Sequence, residues 1–545
     1  MAAAVAKEAG AKVALLSKSV LGLNNCTTYA GGGFTFAAEP VLGAGLGVSV
    51  EEHMATTKRA GRGLNDGDLL RVLCTEAAVA VKSLERFGMQ AEWHRGGCRV
   101  TPWSRSRLQG GTGMTLPLAD HLRQTDAVIL EDFFATALLQ EADGRVVGVR
   151  GVRLHSGQPV EVRAAAVIVA TGGGGRIYSR SDNPVHTTGD GYRLLFGAGV
   201  PMQDMEFVQF YPLALADPGS VPYLIDLGAI DVAPVRNADG RDFLKEEVLD
   251  PMGLQTGRQA NLHARDRCTV AIARQWRAGK EVFLHLEQAA AGKAVDDLLK
   301  WLKPFLPKGY QLSDGPVRIK PTQHYFCGGA VIDDQGWTGI EGLYACGEST
   351  GGVDGANRVG GNALSNITVF GIRAGRAAAA YAAKTSGSTE STGGAGDWPE
   401  LGEIDRWKAN AANPSASSSR PADLRAEINR ICDRHLGPVR NASDLKQALD
   451  GLTGLTASLA DLAVGSWQDL LIALETQNLV LVARMVARAA IERQESRGAH
   501  FREEFPEEEA AWAKHIILRP DTPSVVGTPI SVDLPLKTEI RPIRP

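Results

Sequence analysis

The sequence predicts an α/β protein in which buried strands lead into glycine-rich turns and then into helices. Three stretches carry this prediction: AKVALLS at 11–17, AAAVIVATGGGG at 164–175 and GLYACGESTGGVDGANRVGG at 342–361. Their apolar runs are short and bounded by turn residues, which is typical of buried strands. From residue 127 to 163 the apolar and polar residues alternate, with turn residues at Asp143-Gly144 and Ser156-Gly157. We therefore expect a β-meander there.

The stretch at 342–361 is the strongest candidate for a ligand site. Its glycines let the backbone approach a flat ligand closely. A helix pattern begins near Ala363, and a helix start leaves N–H groups free to bind an anion. Arg358 lies in the middle of this loop of small residues. Its planar guanidinium suits bidentate capture of a carboxylate or a phosphate.

Composition excludes several classes of protein. The 545 residues suffice for a large catalytic core with one or two smaller domains. The net charge of −4 gives no sign of a nucleic-acid-binding surface, and no run of eighteen apolar residues predicts a membrane span. The seven cysteines are scattered without a CxxC pair. We therefore expect reduced thiols, a cytoplasmic location, no metal site and no iron–sulfur cluster held by this chain alone.

The N-terminal segment resembles the second half of a dinucleotide-binding βαβ unit. Residues 1–10 predict a helix closed by Gly10, and a strand follows at 11–17. In a Rossmann-like unit a first strand and a GxGxxG turn come before that helix, and no suitable GxGxxG is present. We hypothesise that Met1 is an internal methionine of a longer reading frame. An ordinary alanine-rich terminal helix is the alternative.

Several motifs together resemble the succinate dehydrogenase/fumarate reductase flavoprotein family, to which L-aspartate oxidase also belongs. GLYACGE and GANRVGGNAL are similar to the C-terminal flavin-binding signature of that family. Five further blocks occur in the family's order: HTTGDG at 186–191, DMEFVQFYP at 204–212, RD at 265–266, PTQHYFCGG at 321–329 and ESRGAHFREEFP at 495–506. The resemblance covers most of the chain.

The resemblance implies a Rossmann-like FAD-binding domain with an inserted α+β capping domain and a C-terminal helical domain. The expected boundaries are 1–215 and 319–382 for the FAD-binding domain, 216–318 for the capping domain, 383–422 for a linker, 423–505 for the helical domain and 506–545 for an extended tail. The linker contains the low-complexity run at 383–398, and the proline-rich end of the tail, residues 521–545, is expected to be a docking or edge segment and not a core.

The resemblance also implies which residues contact FAD. They are Ser17, Lys18, Cys26, Thr27, Gly31, Gly32, Thr171, Gly172, Asp190, Glu348, Ala363 and Leu364. Asp190 precedes a helix pattern, so capping that helix is an equally open role. Some family members attach FAD through a histidine at the position of Cys26. We therefore expect noncovalent FAD, with a cysteinyl link as the alternative.

The resemblance implies four residues that act on or bind the substrate: Arg265, His324, Arg358 and Tyr211. The family's proton-donating arginine lies in an RD pair near a helix start, which is Arg265 here. This role requires a closed, apolar site, because a guanidinium is not normally deprotonated. A surface Arg–Asp pair is the alternative. His324 and Arg358 match positions that bind a substrate carboxylate, although a lone histidine is more often structural.

Two positions depart from the family pattern. Tyr211 stands where succinate-type members have a histidine, and it can donate a hydrogen bond but carries no charge near neutral pH. The nearest match to a Thr-Glu pair in the capping domain is Asp226-Leu227. An Asp226 side chain facing the ligand would repel a carboxylate at roughly 4 Å by about 4 kcal/mol at an effective dielectric constant near 20.

The expected function is FAD-dependent oxidoreduction next to a carboxylate, of the succinate/fumarate type. The small carboxylic acid is the substrate, and a separate iron–sulfur subunit carries electrons. That partner would place the protein in the cytoplasm or peripherally on the inner face of the membrane. Two alternatives stay open: an L-aspartate oxidase-like or other unsaturated-acid enzyme, and a catalytically degenerate electron-transfer flavoprotein.

Overall fold

The computed structural model describes residues 1–104, 109–289, 292–306, 309–311, 314–385, 399–415, 418–520 and 536–543. Its helices are α1 (Ala2–Glu8), α2 (Cys26–Tyr29), α3 (Glu39–Leu42), α4 (Val50–Ala60), α5 (Gly67–Lys82), α6 (Thr112–Arg123), α7 (Asp190–Gly197), α8 (Gly257–His263), α9 (Arg265–Arg277), α10 (Lys293–Leu302), α11 (Asn362–Thr385), α12 (Pro399–Ala412), α13 (Pro421–His435), α14 (Ala442–Ser458) and α15 (Trp467–Glu492).

The strands are β1 (Ala14–Leu16), β2 (Gly33–Thr35), β3 (Ala91–His94), β4 (Gly97–Val100), β5 (Val128–Leu130), β6 (Phe133–Gln140), β7 (Val146–Arg153), β8 (Pro159–Arg163), β9 (Val167–Val169), β10 (Met202–Gln203), β11 (Val208–Tyr211), β12 (Val235–Asn237), β13 (Val282–Leu284), β14 (Val317–Ile319), β15 (Thr322–Phe326), β16 (Gly329–Ala330), β17 (Leu343–Ala345), β18 (Lys514–Pro520) and β19 (Leu536–Pro542). The predicted α/β class is confirmed.

Two parallel strand pairs organise the ligand-binding part of the fold. β1 pairs with β5, and β9 pairs with β17. The carboxyl ends of β1 and β9 meet at the start of α7: Lys18 Nζ lies 2.6 Å from the Asp190 carboxylate, and a Cβ added to Gly191 would strike the Thr171 hydroxyl. Ligands of open α/β sheets bind outside the carboxyl ends of such strands.

The predicted β-meander is present. β6, β7 and β8 form an antiparallel sheet in that order. Gly144 and Gly157, in the two connections, have φ values of 86° and 67°. Only glycine adopts this left-handed region without steric cost, which explains the two turn signals in the sequence.

A second hydrophobic core lies in the segment predicted to be the capping domain. Its buried side chains run in sequence from Leu213 to Ile319, and they cover the antiparallel sheet β12–β13–β14 together with α8 and α9. The main core instead joins the parallel strands, α5, α11 and the C-terminal helices. A separate core is consistent with a unit inserted into the chain, and its boundaries at 216 and 318 stay a prediction.

The C-terminal region differs from the expectation in the linker. Residues 399–412, inside the predicted linker, form α12, because Ile404 and Trp407 turn one face of that helix into the main core. The run at 386–398 lies outside the described residues. In the tail, residues 521–535 lie outside the described residues, and β19 is the edge strand of the sheet β16–β10–β18–β19. β18, which precedes them, is buried at Ile516 and Leu518.

Within the described residues, one helix is long and apolar enough to cross a bilayer. This is α15, with a mean hydropathy of 1.5 over its most apolar window. However, 94% of that window is buried inside the protein, where α15 packs against α7, α13, α14 and β18. Its apolar surface is therefore used in core packing.

The packing of α12 against the main core can be tested at Trp407. Trp407 is fully buried and its indole N–H donates to the Leu459 carbonyl at 2.8 Å. We expect Trp407→Ala to lower the free energy of unfolding by about 3–5 kcal/mol, the usual cost of truncating a buried tryptophan. Chemical denaturation measures this loss. Trp103, which is 49% exposed, is the matched control, and Trp103→Ala should change stability by less than about 0.5 kcal/mol. Equal effects of both substitutions would contradict the packing of α12.

Candidate active site

A cavity of about 160 Å³ lies where the capping segment meets the glycine-rich loop. The volume exceeds the roughly 10–15 Å³ that one water molecule requires. One wall comes from the end of α8 and the start of α9, and the other from the loop at 357–360 and the end of α4. The titratable side chains on its lining are Arg59, Arg62, His263, Arg265, Asp266 and Arg358. The structure thus brings Arg265 and Arg358 together although 93 positions separate them in the sequence (358 − 265).

Arg265 is the first residue of α9, as the RD pair near a helix start predicts. It is 8% exposed, and its Nε donates to the Asn261 Oδ1 at 3.0 Å. Its guanidinium lies 5.4 Å from the centre of the Tyr211 ring. Burial lowers the pKa of Arg265, and the positive charge of Arg358 lowers it further. A helix N-terminus also disfavours a cation.

Arg358 is held by neutral groups. It is 6% exposed and donates from Nη2 to the Gln209 Oε1 at 3.1 Å and from Nη1 to the Val359 carbonyl at 3.3 Å. Its guanidinium lies 4.3 Å from the Tyr325 ring centre, and its buried Nε has no hydrogen-bond partner among the described residues. The Arg358 side chain is therefore fixed in position, with donor capacity left for a ligand.

Neither guanidinium forms an ion pair with a carboxylate in the part of the chain that the structure describes. Asp354 and Glu348 interact with Arg358 at longer range, and burial raises the pKa of these carboxyl groups to about 6 and about 7. Leaving a buried charge without a counter-charge is costly, and two such charges on one cavity repel each other. The cavity is therefore suited to an anion.

Tyr211 and His324 adjoin this cavity without being part of its lining. The Tyr211 hydroxyl accepts a hydrogen bond from the Leu227 N–H at 3.3 Å. Burial raises the pKa of Tyr211 to about 12, so the phenol keeps its proton near neutral pH. The His324 ring lies 5.9 Å from the Tyr211 ring in an edge-to-face arrangement, and its Nδ1 lies 2.8 Å from the Asp182 carboxylate. Tyr211 thus lies between Arg265 and the Asp182–His324 pair.

The structure does not place Asp226 on the cavity. Asp226 is exposed, and its carboxylate accepts the Gly228 N–H at 2.8 Å at the start of a short 3₁₀ turn. Its other oxygen lies 3.4 Å from the Asn261 amide that in turn contacts Arg265. Local backbone capping therefore keeps the Asp226 carboxylate off the lining of the cavity, although its charge still acts on Arg265.

The glycine-rich residues predicted to contact FAD near the site are adjacent in space. The Thr35 hydroxyl donates to the Gly360 carbonyl at 2.7 Å, and the Ser365 hydroxyl donates to the Thr35 carbonyl at 2.8 Å. These bonds join the strand after Gly31 and Gly32 to the start of α11, which contains Ala363 and Leu364. Gly31 faces open space, whereas a Cβ on Gly32 would lie 2.7 Å from Gly110. Gly32 is therefore required for packing.

Cys26 and Thr27 begin α2, beside the same region. The Cys26 Sγ lies 3.6 Å from the Thr187 hydroxyl, and burial raises the pKa of its thiol well above the ordinary range. A protonated thiol is a poor nucleophile. Among the described residues all seven cysteines are free.

A second group of predicted FAD contacts lies at the strand ends. Ser17 follows β1, while Thr171 is exposed and Gly172 has nothing within 4 Å of an added Cβ. Glu348 lies beneath this turn: a Cβ on Gly173 would clash with its carboxylate, which accepts the Phe326 N–H at 2.9 Å. Glu348 therefore connects the strand ends to the strand that carries His324.

Lys18 and Asp190 form an ion pair with each other. Lys18 Nζ lies 2.6 Å from the Asp190 carboxylate and 2.9 Å from Glu475. Asp190 is the first helical residue of α7 and makes no capping hydrogen bond, because Gly189 occupies the cap with φ at 76°. The capping role considered for Asp190 is therefore wrong. Its carboxylate instead accepts from the Thr188 hydroxyl at 2.7 Å and the Asn478 amide at 2.8 Å.

Sequence reasoning missed Arg62 and Asn261. Arg62 lines the cavity and forms an ion pair with Asp266, with 2.9 Å between Nη2 and Oδ2. The signal was present, because Arg62 is a charged residue in the glycine-rich segment 61–67, the same pattern that singled out Arg358. Asn261 had no such signal, since its contact with Arg265 depends on the break between α8 and α9.

Two family models match this chain, and several known proteins are similar to it over most of its length. Residues 1–364 match the family model of the FAD binding domain, and residues 425–540 match that of the fumarate reductase flavoprotein C-terminus. The chain is 32% identical over 536 residues to a subunit of the fumarate reductase (CoM/CoB) of Methanothermobacter marburgensis, with 94% of each chain covered. It is 30% identical over 570 residues to the L-aspartate oxidase of Streptomyces coelicolor, covering 97% of this chain and 91% of that protein.

Solved structures show the same fold over the whole chain. Mycobacterium smegmatis Sdh1 in complex with UQ1 has a TM-score of 0.81 at 26% identity, covering 100% of this chain and 92% of that chain. A quinol-fumarate reductase with menaquinol molecules has a TM-score of 0.81 at 26% identity, covering 100% and 96%. The chain therefore belongs to the succinate dehydrogenase/fumarate reductase flavoprotein family of FAD-dependent oxidoreductases, which also includes L-aspartate oxidase.

Proposed function

We propose that this protein interconverts an unsaturated and a saturated small dicarboxylic acid, in the manner of fumarate reductase and succinate dehydrogenase. The observation that carries the proposal is the pair of buried guanidinium groups, Arg265 and Arg358, on one cavity without carboxylate partners among the described residues. An acid with a carboxylate at each end supplies the missing negative charge. It also offers a planar group that Arg358 can hold with two parallel hydrogen bonds.

The residues present fit FAD beside this cavity. Gly31 and Gly172 present backbone to open space, so a flat cofactor could approach them without meeting a side chain. The start of α11 points N–H groups toward the loop at 360–361. Ser17, Thr171 and Glu348 lie at the strand ends where the family places the nucleotide half. When bound, FAD supplies the two-electron chemistry of hydride exchange.

The chain's own residues are proposed to bind the acid and move one proton. Arg358 holds a carboxylate and fixes the carbon–carbon bond in position, and His324 and the neutral Tyr211 hydroxyl, which adjoin the cavity, add hydrogen-bonding groups beside it. Arg265 exchanges a proton with the carbon next to the one that exchanges hydride. Burial and the charge of Arg358 lower the pKa of Arg265, which makes that proton transfer less unfavourable. Asn261 orients the guanidinium through its Nε.

FAD is proposed to be noncovalently bound. A thioether link through Cys26 would require its thiolate as nucleophile, and burial keeps this thiol protonated. The bond between Cys26 and the Thr187 hydroxyl gives the sulfur a structural partner instead. The position that carries the covalent link in other members is therefore inert here.

Electrons need a partner to reach or leave the flavin. The cysteines are scattered, and six of the seven are buried singly, so we propose a separate iron–sulfur subunit. Association with a membrane would then occur through such partners, with the chain itself on the cytoplasmic side.

The charge on the cavity favours a dianionic acid over aspartate. The L-aspartate oxidase relatives make an amino-acid substrate the second candidate. However, an α-ammonium group needs a negative partner, and the one acid among the described lining residues, Asp266, is already paired with Arg62. The intact Arg265 and Arg358 also argue against a degenerate flavoprotein.

Substrate profiling tests this proposal directly. The flavin-loaded protein should reduce fumarate with a reduced viologen dye and oxidise succinate with an artificial acceptor. We expect turnover of L-aspartate to be at least about tenfold slower, the effect of one unfavourable charge contact. Faster oxidation of aspartate than of succinate would replace the proposal with its second candidate. Full flavin loading without turnover of any of the three acids would favour the degenerate flavoprotein.

Replacing Arg265 tests the proton-transfer role. We expect Arg265→Gln to lower kcat for fumarate reduction by about 10²–10⁴-fold, the usual contribution of a positioned general acid. Flavin content should be unchanged. Arg267 lies two residues further along α9 and is exposed, so Arg267→Gln is the matched control and should retain activity. A kcat within threefold of wild type in Arg265→Gln would exclude this residue as the proton donor.

Replacing Arg358 tests carboxylate binding. Charge-assisted hydrogen bonds contribute about 1.5–3 kcal/mol. Arg358→Gln should therefore raise KM for fumarate by roughly 10–150-fold, at about 1.4 kcal/mol per factor of ten. The exposed Arg376 on α11 provides the control substitution Arg376→Gln, which should leave KM unchanged. A reduced kcat with unchanged KM would show that Arg358 does not hold the ground-state acid.

A further inference from the structure

The cavity carries one carboxylate among its described lining residues, and that carboxylate is neutralised by an arginine from another part of the chain. Asp266 lies in the first turn of α9, directly after Arg265. Its Oδ2 accepts a hydrogen bond from Arg62 Nη2 at 2.9 Å. The Asp266 side chain is 11% exposed and the Arg62 side chain 26%, so bulk water screens this pair only in part.

An unpaired Asp266 would interfere with anion binding in two ways. Its negative charge would attract the neighbouring Arg265 guanidinium, which the ligand needs. It would also repel the carboxylate of the ligand at the same end of the cavity. The pairing with Arg62 removes both effects while leaving Arg265 without a carboxylate partner of its own among the described residues.

The backbone of Arg62 is held in place by contacts away from the cavity. Its φ is 53°, in the left-handed region that residues other than glycine seldom adopt. The Arg62 carbonyl accepts a hydrogen bond from Arg497 Nη1 at 2.9 Å. Arg497 is itself fixed by Glu495, with 2.6 Å and 2.9 Å between their atoms. The C-terminal region therefore supports the position from which Arg62 reaches Asp266.

We propose that Arg62 is a specificity-determining residue whose role is to mask Asp266, so that the cavity accepts an acid with two negative charges. This inference rests on the proposed function for the identity of the acid, and on the geometry of the cavity for the masking itself. Arg62 acts through Asp266 and not as a direct ligand of the substrate. Removing the charge of Arg62 should therefore weaken anion binding only while the carboxylate of Asp266 is present.

A double-mutant cycle on the flavin-loaded protein tests the masking. The probe is oxalate, a dianion with no carbon–carbon double bond to reduce, titrated at fixed ionic strength and followed by calorimetry. We expect Arg62→Gln to weaken oxalate binding by about five- to tenfold, as expected for one partly screened charge. Asp266→Asn should bind oxalate at least as tightly as wild type. The double variant R62Q/D266N should bind within about twofold of D266N.

Two controls separate masking from an effect on folding. Arg62→Lys keeps the charge and should bind oxalate within about threefold of wild type. Arg71 and Asp68 form an exposed ion pair of the same type, with side chains 62% and 73% exposed. Arg71→Gln should therefore leave oxalate binding unchanged. Flavin content and thermal midpoint are compared for every variant.

Each outcome decides the inference. If R62Q/D266N binds oxalate as weakly as R62Q, Arg62 contacts the anion directly and masking is overturned. Unchanged binding in R62Q also overturns it, as does a wild type that binds no oxalate at millimolar concentration. A wild type that binds oxalate, shows the expected cycle and yet turns over no small unsaturated acid leaves the masking in place and refutes the proposed function.

Discussion

Two buried positive charges facing one cavity are the constraint on which the rest of this structure depends. The chain stabilises other buried arginines in two ways. Arg440 is fully buried and donates to the Glu206 carbonyl at 2.8 Å, with the His500 ring 2.9 Å away. Arg493 is completely buried and lies 2.6 Å from Glu206 and 2.9 Å from Glu495. Arg265 and Arg358 are buried to a similar degree and are held by amides and aromatic faces instead. Because Arg265 and Arg358 also share one cavity, where their like charges repel each other, an anionic ligand there would supply the missing counter-charge.

A cluster of buried ion pairs outside the cavity connects two parts of the main core, the end of β1 and the C-terminal helices. Glu475 on α15 contacts Lys18, His186 and Arg425. Burial does not prevent its ionisation, because the charge of Lys18, the hydrogen bond with the His186 ring and the charge of Arg425 lower the pKa of Glu475 to about 2. Lys18 and Asp190, which the family resemblance predicts to contact FAD, thus have a structural role at the end of β1 as well.

The sequence was informative where local chemistry determines structure. The glycine-rich turns and the meander follow from turn residues and short apolar runs, and both are present. Arg358 was identifiable because a charged residue in a loop of small residues has no packing role. Arg265 needed the family motif, since an RD pair is common on surfaces.

The errors arose where a distant partner decides the outcome. The Asp190 side chain was open to a capping role, and Lys18, 172 positions earlier (190 − 18), takes it instead. The apolar residues of α12 were obscured by the low-complexity run before it. Arg62 pairs with a residue 204 positions away, which no local pattern reveals.

The location of the two arginines has a consequence for how the protein binds its ligand. Arg265 belongs to the second hydrophobic core and Arg358 to the loop of the main core, so an anion between them joins the two. The Arg265 guanidinium lies directly against Gly360, where an added Cβ would lie 3.0 Å from its Nη2. Without an anion, the two positive charges oppose the approach of the two arginines; with one, they favour it. A dianionic ligand therefore stabilises the arrangement in which Arg265 faces the glycine-rich loop, because it contacts both groups only when they are together.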